Sequence, residues 1–297
     1  MAELLRSGSG GAPTLRDRFE AGEMVLAPGC YDALGARLVE EAGFSATYMT
    51  GFGSAASRLG RPDIGLMTLS EMVDNARRIA QAVDIPVIAD ADTGFGNPIN
   101  VIRTVREYEA AGVAAIHLED QVMPKKCGHM DGKQVVPAAE MAAKVAAAVA
   151  ARRSEEFLVI ARTDARAVEG LEAALERARL YRDAGADALF VEAPQSEAEI
   201  EAVARAFPDV PLLFNYAEGG RTPAVSHAFL HGLGFKLVIF PLTILLSATA
   251  AIRSALARVK ADGTPIELVP TLLGFEEFLH FIGIDEIRDL ERRFAVG

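Results

Sequence analysis

Eight times between residues 25 and 240 a short apolar run gives way to a stretch of helical periodicity, and no other feature constrains the fold as strongly. Such alternation builds a parallel sheet wrapped by helices. The runs are 25–28, 46–50, 86–90, 115–119, 158–163, 188–191, 212–215 and 237–240, with helical stretches such as 69–82, 101–111, 138–152 and 171–184 between them. Several helices close on Ala-Gly, a sequence suited to a left-handed helix stop. Eight units favour a closed barrel over an open doubly wound sheet, because closure leaves no unpaired edge. The expectation is therefore an α/β chain with a (β/α)8 TIM barrel over 14–260, a mobile arm over 1–13 and additional C-terminal helices over 261–297. The apolar faces of "TLLGFEEFLHF" and "IDEIRDLERRFAV" exceed what a barrel needs, and they seek cover on the same chain or on a neighbouring subunit.

A net charge of -11 argues against nonspecific nucleic-acid binding, although a local basic site still suits a small anion. Cys30 and Cys127 are too few and too far apart for a disulfide framework or a zinc set, which points to a reducing, cytoplasmic setting. The opening "MAELLRSGSGGAP" lacks the apolar segment of a signal peptide. The longest uncharged run, 237–252, is interrupted by Pro241 and is shorter than a membrane span, so no membrane partner is expected.

The runs end alike: "IADAD", "IHLED", "IARTD", "FVEA" and "LFNY" each place a charged or amide group at the strand's last position. With a period of two, Ile88 shares a face with Asp90, His117 with Glu119, Ile160 with Arg162, Phe190 with Glu192 and Leu213 with Asn215. If the apolar members fill a barrel, the polar members converge at its C-terminal rim, where barrel enzymes carry their chemistry. Asp90, Asp92 and Glu119 offer hard oxygens suited to Mg²⁺, while Asp92 before Thr-Gly equally suits a turn. Arg162 fits a substrate carboxylate or simply balances Glu192. "TGFG" occurs twice, at 50–53 and 93–96, as a carboxylate cradle or a tight turn. In the loop after the fourth strand, "KKCGH" sets Lys125, Lys126 and a protonated His129 around Cys127, an arrangement expected to lower the thiol pKa, with Gly128 and Gly132 permitting lid movement. His117 reads as a satisfied core histidine, His227, His231 and His280 as helix-surface residues, and Cys30 as structural.

Taken together, "KKCGH", "DADTGFGN", "HLEDQ", "ARTDA" and "TGFGSAASRLGRPDIG" resemble the isocitrate lyase and phosphoenolpyruvate mutase superfamily from about residue 27 to 265. Within it the chain is similar to the shorter branch of methylisocitrate lyase, dimethylmalate lyase, oxaloacetate decarboxylase and carboxyvinyl-carboxyphosphonate phosphorylmutase. The resemblance implies a helix-swapped homotetramer and dependence on Mg²⁺, with Mn²⁺ as a substitute, held by Asp90, Asp92 and Glu119 directly or through water. It implies that Thr50, Gly51 and Phe52 line a substrate carboxylate with Arg162 and Asn215, and that Gly128 and Glu192 border the substrate. It further implies that Cys127 protonates the departing carbanion with Lys125 and His129 on the same loop, and that Tyr48 serves as base; Asp63 and Glu218 border the site. Leu246 stands where the tricarboxylate lyases carry an arginine, and Phe52 replaces a small residue. The implied reaction is cleavage of a 2-hydroxy diacid such as 2,3-dimethylmalate to pyruvate and a carboxylic acid. Oxaloacetate decarboxylase, methylisocitrate lyase, a phosphonomutase and a non-enzymatic barrel are the alternatives.

Overall fold

The computed structural model describes Leu5 and residues 13–295. The arm expected over 1–13 lies outside these described residues but for Leu5 and Pro13. The strands are β1 (Val25–Cys30), β2 (Thr47–Met49), β3 (Val87–Asp90), β4 (Ala115–Glu119), β5 (Leu158–Thr163), β6 (Ala188–Val191), β7 (Leu213–Asn215) and β8 (Leu237–Phe240). The helices are α1 (Leu15–Glu20), α2 (Ala33–Glu41), α3 (Gly51–Leu59), α4 (Leu69–Ala82), α5 (Pro98–Ala111), α6 (Ala138–Ala151), α7 (Ala165–Val168), α8 (Leu171–Asp183), α9 (Glu197–Ala206), α10 (His227–Gly232), α11 (Thr243–Asp262), α12 (Phe275–Phe281) and α13 (Ile284–Arg293). All strand pairs are parallel, in the order β6-β5-β4-β3-β2-β1-β8-β7. A bridge between Leu189 and Leu212 links the two ends, so the sheet is a nearly closed (β/α)8 barrel as the alternation predicts.

The period-two reading holds inside that barrel. Ile88, Ile160, Phe190 and Leu213 form one buried cluster with Val25, Ala27, Leu237 and Ile239, while their polar companions two residues on reach the C-terminal rim. Leu15 and Phe19 of α1 join this cluster, and each such burial contributes about 1.5–3 kcal/mol. Thr14 starts that helix with a capping box to Asp17. The other apolar faces of the strands meet the helices in a second, larger cluster.

The contacts of the described residues divide the chain into two compact units after Leu245, inside α11. From 246 to 295 no described residue is buried, which is why that stretch separates from the barrel's core. No helix among the described residues is long and apolar enough to cross a membrane.

Candidate active site

Sheet register decides which rim residues meet. Asp90 on β3 stands beside His117 on β4, and Glu119 stands beside Arg162 on β5. Asp90 Oδ1 accepts the Asp92 amide at 2.9 Å and lies 3.7 Å from His117 Nε2, which is bonded to the Tyr48 hydroxyl at 2.8 Å. The local turn is thus made by the Asp90 carboxylate and not by that of Asp92, whose backbone is held at φ 46°. Burial pushes His117 down to about 4 despite Asp90, so its ring is neutral near pH 7.

The first "TGFG" opens a helix. Thr50 N-caps α3 by accepting the Gly53 amide at 3.2 Å, and a Cβ on Gly51 would lie 2.2 Å from Asp90 Oδ2. Glycine is required there because the helix N-terminus sits against a carboxylate, and the first turn leaves amides without intrahelical acceptors. The second "TGFG" is a tight turn with positive φ at Gly94, Phe95 and Gly96. A Cβ on Gly94 would press into Val101, so here glycine serves packing.

Arg162 is the centre of charge. Its guanidinium lies 2.8 Å from Asp164, 3.2 Å from Glu119 and 3.3 Å from Glu192. Arg162 therefore balances Glu192 and also faces the cavity. Burial opposes charge on Glu192, but Arg162 and His129 hold it well below the usual carboxylate range. Glu119 goes the other way, pushed well up by burial with Asp164 and Asp90 nearby, although Arg162 and Lys125 pull it down.

The cations of "KKCGH" are committed elsewhere, which corrects the expectation of a thiolate. Lys125 Nζ pairs with Asp63 and Asp92 at 2.7 Å each, and Lys126 Nζ turns outward to the carbonyls of Asp131 and Gly132. His129 Nδ1 accepts the Arg221 amide at 3.0 Å; an amide only donates, so the ring proton sits on Nε2, 3.0 Å from Glu192 Oε1. Without a free cation beside it, the Cys127 thiol is pushed up by burial, with Asp63 and Glu192 adding to the shift against the His129 amide and Arg162. A protonated thiol suits an acid better than a nucleophile. Burial, with Asp90 alongside, raises the Tyr48 phenol well above the usual range, and its hydroxyl is bonded to His117 Nε2 at 2.8 Å.

A small cavity of about 50 Å³ lies on this rim. Tyr48, Thr50, Phe52, Asp90, Lys125, Cys127, Gly128, His129, Arg162, Glu192 and Asn215 line it. Gly51, Asp92 and Glu119 do not line it. Asp92 stands behind Lys125 and Glu119 behind Arg162. Asp63, Ala217, Pro241 and Leu242 complete the wall, and Glu218 accepts the Leu242 amide at 3.1 Å. The wall is thus charged and thiol-bearing on one part, where Asp63, Asp90 and Glu192 stand with Lys125 and Arg162, and apolar at Phe52, Ala217, Pro241 and Leu242 on another.

The family model described as phosphoenolpyruvate phosphomutase matches residues 15–260. The chain belongs to the phosphoenolpyruvate phosphomutase family. It is an enzyme of the isocitrate lyase/phosphoenolpyruvate mutase superfamily, as its lyase relatives also indicate. It is 47% identical to 2,3-dimethylmalate lyase of Eubacterium barkeri across 96% of this chain and 99% of that one. It is 51% identical to probable 2-methylisocitrate lyase 1 of Corynebacterium glutamicum across 80% and 77%. Among solved structures, oxaloacetate acetylhydrolase with 3,3-difluorooxalacetate superposes with a TM-score of 0.90 at 39% identity, covering 97% of this chain and 98% of that one. A 2,3-dimethylmalate lyase in its trigonal crystal form gives 0.90 at 41%, covering 95% and 94%. Phosphonopyruvate hydrolase, in complex with oxalate and Mg²⁺, gives 0.86 at 34%, covering 95% and 98%.

The residues of this family member fit a dication. Six carboxylates, on Asp63, Asp90, Asp92, Glu119, Asp164 and Glu192, share three fixed cations, Lys125, Lys133 and Arg162. Glu119 Oε1 is buried without a hydrogen-bond partner. Among the described residues no three His, Cys, Asp or Glu side chains close into a cage. That pattern suits a hard ion which takes one or two protein carboxylates and completes its shell with water and substrate.

The strand-end logic did not reach Lys133, Asp164 or Asp120. Asp120 accepts from Tyr181 and Thr163 at 2.8 Å each and from the Asp164 amide at 2.9 Å, fixing the turn after β5. Its signal was present in "HLED", where two acids end the strand.

Proposed function

We propose that this chain is a divalent-metal-dependent carbon–carbon lyase that cleaves a 2-alkylmalate such as 2,3-dimethylmalate into pyruvate and a carboxylic acid. The observation that carries the reading is a single cavity wall joining Arg162 and Cys127 to the apolar patch of Phe52, Ala217, Pro241 and Leu242. A substrate with two carboxylates and short alkyl groups matches those two surfaces. The 47% identity to 2,3-dimethylmalate lyase over nearly the whole of both chains supports it.

Asp90, with Asp92 and Glu119 directly or through water, would hold Mg²⁺ or Mn²⁺. When bound, the ion lowers the pKa of the substrate hydroxyl and steadies the developing charge on its oxygen. Arg162 and Asn215 bind a carboxylate, helped by the amides of Gly51 and Phe52 at the start of α3, near Thr50. The Tyr48 hydroxyl, backed by neutral His117, hydrogen-bonds at the cavity floor. As the C2–C3 bond breaks, the C2 oxygen becomes the carbonyl of pyruvate, and the electron pair left on C3 takes the thiol proton of Cys127. The hydroxyl proton leaves to solvent at the cavity mouth, C3 gains the thiol proton, and the thiolate is reprotonated from solvent, so no oxidant or reductant is needed. Lys125, Gly128 and His129 keep the thiol's loop over the cavity, beside Glu192.

The deciding assay follows release of 2-oxo acid, with and without Mg²⁺, from 2,3-dimethylmalate, methylisocitrate, isocitrate, oxaloacetate and phosphonopyruvate. Fastest Mg²⁺-dependent release of pyruvate from 2,3-dimethylmalate is expected. Turnover confined to oxaloacetate or phosphonopyruvate would replace this reading with decarboxylation or phosphorus–carbon chemistry.

We infer further that the enzyme works in the cytoplasm as a homotetramer with C-terminal helices exchanged between subunits. Ile252, Ile266 and Phe275 are 57%, 67% and 75% exposed within one chain, and apolar surface of that kind calls for a partner. Sedimentation should give a tetramer at micromolar concentration; a monomer there refutes the assembly.

A further inference from the structure

We propose that Lys133 is a positioning residue that fastens the Cys127 loop to Arg162, taking the cavity to be the lyase site described above. Its side chain is only 2% exposed, and a buried ammonium persists only where its protons are accepted. Two acceptors meet it: the Gly128 carbonyl, next to Cys127, and Asp164 Oδ1 at 2.7 Å. Asp164 in turn receives Arg162 Nε at 2.8 Å and its terminal nitrogen at 3.1 Å. One ammonium thus joins the peptide beside the proton donor to the carboxylate that orients the guanidinium.

The loop tip has no slack at this junction. A Cβ on Gly128 would lie 2.6 Å from both the Arg162 guanidinium and the Glu192 carboxyl carbon, so the peptide after Cys127 rests directly on that ion pair. The loop's stem is held independently of Lys133. Val122 donates to the Gln134 carbonyl at 2.8 Å, Val136 donates to the Asp120 carbonyl at 2.8 Å, and Arg177 grips the Val136 carbonyl at 2.8 Å. What Lys133 adds is confined to the tip. When the tip is docked, Asp164 divides its charge between Lys133 and Arg162, leaving the guanidinium available to Glu119, Glu192 and a substrate carboxylate. When the tip lifts, the ammonium loses the Gly128 carbonyl and the Gly128 peptide leaves the Arg162–Glu192 pair on which it rests. Docking of the thiol and presentation of the arginine become one event.

Alkylation tests this directly, because the chain has two cysteines and Cys30 is fully buried in β1. Full-length parent, Lys133→Met and Lys133→Arg are treated with iodoacetamide, and each cysteine is followed by peptide mass spectrometry alongside steady-state kinetics. Lys133→Met should alkylate Cys127 at least about tenfold faster than the parent while Cys30 stays slow, and its kcat should fall by up to about 10²-fold with a smaller rise in KM, the scale expected when a reacting group is displaced by about 1 Å. Lys133→Arg, which keeps a cation, should lie between the two on both scales. Parental alkylation and turnover in Lys133→Met overturn the proposal. Equal acceleration at Cys30 also overturns it, since that marks general loosening and not a released tip. If the parent turns over none of the acids above, the lyase reading fails, whereas the ratio of Cys127 rates still decides the role of Lys133.

Discussion

Cys127→Ser should lose about 10²- to 10⁴-fold in turnover of the preferred diacid, the range associated with removal of a positioned general acid. The reason lies in the environment of the sulfur. Burial, Asp63 and Glu192 keep the thiol protonated beyond its ordinary range, so at neutral pH it holds a proton to give. A serine hydroxyl occupies nearly the same space but is a far weaker acid than a thiol, so the electron pair left on C3 finds no ready proton. The substitution disturbs little else: the Cys127 backbone amide still donates to the Asp63 carbonyl at 3.2 Å, and the side chain is only partly buried. Thermal stability should therefore change by less than about 0.5 kcal/mol, and pyruvate with Mg²⁺ should still raise the melting temperature. Parental turnover in Cys127→Ser would show that the proton comes from another group.

Most of the barrel is legible in the sequence because strand geometry is local. β4, β5, β6 and β8 have the bounds that the apolar runs indicate, and the polar strand ends face the rim because alternation leaves them no other choice. The helix α3 is less legible: glycines at 51 and 53 weaken its local propensity, and only Thr50 as N-cap announces it. The charge state of Cys127 is not local at all. Sequence proximity counts Lys125, Lys126 and His129 as its neighbours, yet folding delivers Asp63 and Asp92 to claim Lys125, solvent-side carbonyls to claim Lys126, and the Arg221 amide and Glu192 to hold the His129 ring. The role of Lys133 is hidden for the same reason, since its acceptor Asp164 is 31 residues away.

The surplus of acid at the rim has a thermodynamic consequence that separates metal binding from turnover. Burial, with Asp90 and Asp63 alongside, pushes Asp92 up to about 7 in spite of Lys125, and Glu119 is raised as well. A carboxyl whose folded pKa exceeds its unfolded value stabilises the protein fully below the unfolded value and loses that contribution as pH rises through the folded one. For Asp92 the window runs from 3.8 to about 7, and the loss amounts to about 4 kcal/mol by linkage. Asp90, Asp164 and Glu192 are lowered and act in the opposite sense, so their contribution is present above the ordinary carboxylate range and disappears only in more acid solution. The metal-free protein should accordingly be less stable at pH 8 than at pH 5.5. Mg²⁺ takes the ionised carboxylates, so its affinity should climb by up to about tenfold per pH unit until about pH 7 and then level off. The roughly 1.5 pH units from 5.5 to about 7 amount to about 2 kcal/mol, and with each kcal/mol worth about 2–4 °C in a domain of this size, saturating Mg²⁺ should raise the melting temperature by about 4–8 °C more at pH 8 than at pH 5.5. Asp92→Asn should flatten the metal-free profile between those pH values and remove most of the Mg²⁺ response. Equal Mg²⁺ shifts at both pH values would mean that the ion, if it binds, does not displace a proton from this cluster, and Asp92 would then have to be struck from its ligands.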